Sequence, residues 1–109
     1  MKISILLPYK ENYSPNYPGA VSIFVNSTNK ISKYKENITV YGSTIYKKKL
    51  SKNYINISLS KTYLKSQSKE YVNKFLLLQK NRKPDIIEIH NRPIYINRLV
   101  QLNSKIVLY

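Results

Sequence analysis

The chain contains no cysteine and a single histidine, His90. Without cysteine neither a disulfide framework nor a thiolate zinc site can form, and one histidine excludes a histidine-rich metal centre. Acidic side chains are also scarce, five against 19 lysines and arginines. Long apolar runs are missing too. The early run from Ile3 to Pro8 is too short for a signal-peptide core or a membrane span, so a cytoplasmic location is the default expectation. No internal repeat or linker interrupts the 109 residues, which predicts one domain, large enough for one core but small for an enzyme with two substrate sites.

Hydrophobic residues make up 42% of the chain, enough for a globular core. The formal charge of +14 admits three readings. Nucleic acid is one partner for such a chain, and an anionic membrane surface is another. The third is compositional: Lys, Asn, Ile and Tyr dominate throughout, as AT-rich coding produces. Lysines are spread along the sequence and arginines number only three, so charge alone does not choose among them. The 11 tyrosines are scattered and form no base-stacking block. Asn-x-Ser/Thr sequons, among them those at Asn26, Asn37 and Asn56, are most simply chance without a signal peptide.

Patterning predicts alternating strands and helices. The segment from Lys2 to Leu7, stopped by Pro8, reads as a buried strand. The residues from Tyr9 to Gly19, with Pro15 and Pro18, form a long loop. From Ala20 the spacing becomes helical, with Val21, Phe24, Val25, Thr28 and Ile31 on one face. Asn37 to Tyr41 and Tyr54 to Leu59 are strands joined by a basic connection. A second helix is expected from Lys69 to Asn81, with Ser68 as its N-cap, Glu70 in its first turn, and Tyr71, Val72, Phe75, Leu76 and Leu78 buried. Ile86 to His90 is a fourth strand. Asn91 or Arg92 would cap a third helix opened by Pro93, with Ile96, Leu99 and Val100 as its apolar stripe. Lys105 to Tyr109 is a fifth strand.

That order implies an α/β fold: a Rossmann-like, largely parallel sheet of about five strands flanked by helices. Ligands of such sheets bind beyond the carboxyl ends of the strands. Residues 8–19, 42–44, 58–61 and 90–92 should therefore share one rim.

Three features on or near that rim could carry chemistry. Pro18, Gly19 and Ala20 lie where the long loop enters the first helix. A glycine there permits close approach of a ligand to free backbone N–H groups that attract anions, or it is a plain turn residue. Only Gly19 is present, so this is neither a dinucleotide fingerprint nor a Walker A loop. Next, His90, Asn91 and Arg92 end a strand: a histidine there can face a ligand, and a guanidinium fits phosphate or carboxylate. The bland alternative has His90 satisfying a backbone carbonyl and Arg92 on the surface. Last, Lys47, Lys48, Lys49 and Lys52 could contact an anionic bilayer, or form a solvated loop.

Two blocks resemble family 4 glycosyltransferases of the GT-B type. One is Met1 to Pro8 with Pro18 to Ala20. The other is Lys83-Pro-Asp-Ile-Ile-Glu-Ile-His-Asn-Arg-Pro93, a Pro-Asp, an apolar strand and a terminal histidine. The final Lys105 to Tyr109 resembles that domain's next strand, so the similarity spans nearly the whole chain. The resemblance implies retaining transfer of a sugar from a nucleotide-sugar donor to a glycan or lipid-linked acceptor, with no metal expected and no cofactor beyond the donor. It implies that this is the acceptor-side half, with the loop at Gly19 approaching the donor diphosphate, His90 near the transferred sugar, and Asn91 and Arg92 beside it. The family's donor-binding half, with its paired glutamates, has no counterpart here, so a fragment inactive by itself is expected. The alternatives are a small basic α/β module that holds nucleic acid, or a truncated pseudoenzyme acting only as a partner surface.

Overall fold

The computed structural model describes residues 1–60 and 67–109. Lys61, expected on the rim, lies outside the described residues. In chain order the elements are β1 (Ile3–Leu6), α1 (Ala20–Ile31), β2 (Ile38–Gly42), β3 (Tyr54–Asn56), α2 (Gln67–Arg82), β4 (Ile86–Ile89), α3 (Ile96–Leu99) and β5 (Lys105–Leu108). Short 3-10 turns at Lys35–Asn37 and Pro93–Tyr95 lead into β2 and α3. Among the described residues the strands form one sheet in the order β3-β2-β1-β4-β5, and every pairing is parallel. This is the Rossmann-like α/β architecture that the alternating pattern implies.

Alternation along the strands sorts the core into two layers. Ile3, Ile5, Leu7, Ile38 and Val40 face Val25 of α1, with Tyr13 of the long loop in the same cluster. Leu6, Tyr41, Ile87 and Ile89 face Tyr71, Val72, Phe75 and Leu76 of α2 and Leu99 of α3. Phe75 is fully buried, edge-on to Tyr41 at 5.1 Å. Its burial contributes about 2–3 kcal/mol. The sheet thus carries α1 on one face, and α2 with α3 on the other.

The expected buried stripe holds along α2 except at its last place, whereas α1 sits rotated from its own. In α2 the buried row is Tyr71, Val72, Phe75, Leu76 and Gln79, which follows 3.6-residue spacing, whereas Leu78 falls off it and is 39% exposed. Gln79 holds the last place because Ser4 Oγ donates to its Oε1 at 2.6 Å. In α1 the buried residues are Ser22 and Val25, while Phe24 and Ile31 face outward. The small Ser22 side chain rests against the sheet, and the bulkier neighbours turn to solvent. Ser68 is not the N-cap expected from sequence, because α2 already includes Gln67. Val100 is likewise exposed: the third helix is only a turn long after its 3-10 start, and Tyr95 with Leu99 supplies its buried side.

Candidate functional site

The rim begins where β1 stops. Leu7 N donates to Tyr41 O at 3.0 Å, and Pro8 then turns the chain out of the sheet. The loop that follows is tightly tied. Tyr13 and Ser14 are fully buried. Tyr13 N donates to Thr44 Oγ1 at 3.0 Å, and the Tyr13 hydroxyl lies 2.7 Å from Ser51 Oγ. The Tyr13 ring stacks on Tyr54 at 4.9 Å and 9°, and Tyr54 donates to Thr44 Oγ1 at 3.1 Å. This knot joins the loop after β1 to the connection after β2. Burial raises both phenols: Tyr13 above its usual value, and Tyr54 to about 12.

Gly19 caps α1 with φ −74° and ψ 156°, a conformation open to any residue. Space, not backbone freedom, selects glycine here. The Glu11 carboxylate fills the volume a Cβ would need, and its Oε2 accepts the Ser22 N–H at 2.9 Å. An internal anion therefore occupies the positive end of α1. Pro18 and Ala20, on either side, are exposed. Sequence reading missed Glu11. The available signal was a lone acid in the preceding loop combined with a helix whose first turn has no acid of its own.

His90 follows β4 as expected, but its ring lies in the α1-side layer and is 5% exposed. The Tyr109 ring stacks flat on it, at 4.8 Å and 8°, and Phe24 meets its edge at 6.2 Å. Its Nε2 is 3.7 Å from Glu88 Oε2 and makes no hydrogen bond among the described residues. Asn91 takes a left-handed φ of 57°, and its N–H donates to Tyr109 O at 2.9 Å. Arg92 is exposed and donates from Nη1 to its neighbour Asn91 O at 2.9 Å. The segment stays close to the first loop, because the Tyr95 hydroxyl accepts the Tyr9 N–H at 3.3 Å.

The lysine run divides. Lys47, Lys48 and Lys52 are exposed, whereas Lys49 turns inward, donating to the carbonyls of Tyr46 and Thr44 and lying 5.6 Å from the Tyr54 ring centre. Other lysines, including Lys2, Lys83 and Lys105, sit at the opposite, amino-terminal edge of the sheet. The positive charge therefore does not gather into one face, the arrangement expected of a nucleic-acid module. Among the described residues no helix is long and apolar enough to cross a membrane.

The carboxyl ends of β1 and β4 thus bring together the long loop, Gly19 with its Glu11 cap, and the His90–Arg92 segment. Compared with models of protein families, with curated proteins and with solved structures, the chain matches none.

Proposed function

We propose that this domain forms the acceptor side of a glycosyltransferase site of the GT-B type, taking a glycan or lipid-linked acceptor beside a nucleotide-sugar donor. The observation that carries the reading is the reversal of strand order at β1 and β4. α1 leaves from β1 toward β2 on one face, while β4 joins the other flank after α2 has crossed the opposite face. A crevice at such a switch point is where open parallel sheets take ligands. Both segments that resemble the family end beside it, and the Tyr9–Tyr95 hydrogen bond joins its two lips.

Local chemistry supports the same reading. The Arg92 side chain is exposed, and its guanidinium bonds only to the neighbouring Asn91 carbonyl among the described residues, so its fork can turn toward a diphosphate. The start of α1 is already occupied by the Glu11 carboxylate, so in this reading the guanidinium of Arg92, and not the helix end, meets the diphosphate. In this reading His90 meets the transferred sugar once the Tyr109 ring lifts from it, and a second, donor-binding domain completes the cleft.

Amide chemical shifts of the isotope-labelled chain test this directly. Oligosaccharide or prenyl-phosphate acceptors should move the amides of Tyr9, Gly19, Asn91 and Arg92, and no sugar should be transferred. Shifts confined to the amino-terminal edge, or none with any acceptor, overturn the assignment of the rim. Turnover by the 109-residue chain would overturn the division of labour between two domains.

A further inference from the structure

Two large side chains stand in solvent together on the carboxyl rim. Ile45 is 92% exposed and Tyr17 is 83% exposed. They belong to different loops, brought together by the Tyr17 and Tyr46 rings at 6.1 Å. Tyr17 holds a φ of 51°, an unfavourable conformation for an aromatic residue. The Asn12 amide fixes it, donating to the carbonyls of Asn16 at 2.6 Å and Tyr17 at 2.7 Å. The loop therefore presents this ring to water at a conformational cost, with only the tilted contact to Tyr46 in return.

Cations surround the pair. Lys10 and Ile45 border the same depression of about 280 Å³, and Lys47 and Lys48, both exposed, come just after Tyr46 on the same loop. The one acid in that depression, Glu11, is engaged with the Ser22 N–H.

We propose that these two loop tips dock on an anionic lipid bilayer. Ile45 and Tyr17 enter the boundary between headgroups and acyl chains, and Lys10, Lys47 and Lys48 lie against the headgroups. An aliphatic tip beside an amphipathic ring, ringed by lysines, has the chemistry of an interfacial anchor. Single-stranded nucleic acid would stack on Tyr17 but has no use for a fully exposed isoleucine. Charge complementarity is strong, since the chain carries +14. Lys49 contributes nothing, being folded back onto its own loop. Each docked lysine should strengthen binding about fivefold at low salt, and each inserted tip about tenfold.

Co-sedimentation with phosphatidylcholine vesicles, with and without phosphatidylglycerol, tests this without substrate or donor domain, so the outcome is independent of the glycosyl-transfer reading. Binding is expected only with phosphatidylglycerol, weakening with salt. The double variant K47E/K48E should bind at least about tenfold more weakly. Y17S/I45S should lose at least about tenfold while keeping the same salt dependence. The chain has no tryptophan, so Ile45→Trp supplies a single reporter whose emission should shift to the blue on anionic vesicles. Failure to bind those vesicles, binding indifferent to Y17S/I45S, or a reporter that responds to single-stranded RNA but not to vesicles overturns the proposal. Circular dichroism of each variant confirms that these exposed substitutions leave the fold intact.

Discussion

The carboxylate of Glu11 lies in the space that a side chain at Gly19 would occupy, and from there it accepts the Ser22 N–H. Glycine and acid are therefore one device: the first makes room, the second caps α1. Gly19→Ala and Glu11→Ala should each cost about 1 kcal/mol, the worth of an N-terminal cap. The double variant should cost scarcely more than either single one, because both remove the same contact. Urea denaturation of the four proteins measures this, and fully additive losses would show that Glu11 and Gly19 act separately.

Tyr71 gives a prediction about alkali. Its ring is completely buried, and its hydroxyl donates to Leu7 O at 2.6 Å. Burial pushes its pKa well above 10.0, and raises that of Tyr54 to about 12. A phenol whose folded pKa is raised holds its proton after the unfolded chain has released its own. The resulting stability is present in full below pH 10.0 and declines as pH rises through the folded values. The urea midpoint should fall steeply between pH 10.0 and about 12. Tyr71→Phe should cost about 1–3 kcal/mol near neutrality, by stripping Leu7 O of its donor, and should flatten the alkaline decline. An unchanged alkaline slope would mean that Tyr71 does not contribute to it.

The sheet was readable from sequence because most strands are short apolar runs, stopped by Pro8, Gly42 or a polar cluster, with helical spacing between all but the second and third. Those signals are local. The last buried place of α2 was not, because an interior glutamine becomes acceptable only when Ser4, 75 residues away, supplies its partner. At the site, sequence placed His90 at a strand end but could not say which face its ring would choose. That depends on Tyr109, which reaches it through the β4–β5 pairing. Lys47, Lys48 and Lys49 look alike in sequence, and only the fold of their loop separates the inward ammonium from the outward ones.

His90 tests whether the strand-end ring also holds the fold. Buried between Tyr109 and Phe24, it should tolerate Phe, which keeps the stacking and removes an unbonded nitrogen, within about 1 kcal/mol. His90→Ala should cost about 3 kcal/mol through the cavity it leaves. If His90→Phe keeps stability yet abolishes acceptor-induced shifts at Asn91 and Arg92, the imidazole itself takes part in binding. Shifts that persist in His90→Phe would restrict its part to packing.

At the other end of the sheet, Gln79 is fully buried with its Oε1 on Ser4 and its Nε2 without a partner among the described residues. Arg82 Nε also donates to Ser4 Oγ at 3.0 Å, and Arg82 Nη2 donates to the carbonyls of Ile3 and Asn37, each at 3.0 Å. The serine thus keeps a partner if Gln79 is replaced. Gln79→Met preserves the volume and removes the orphaned donor, so the lost hydrogen bond and the relieved desolvation should nearly cancel, within about 1 kcal/mol. Gln79→Ala keeps neither the volume nor the bond and should cost about 3 kcal/mol. Equal losses in the two variants, measured by urea denaturation, would mean that the amide is satisfied in solution and that its polar contacts, rather than its bulk, hold α2 against β1.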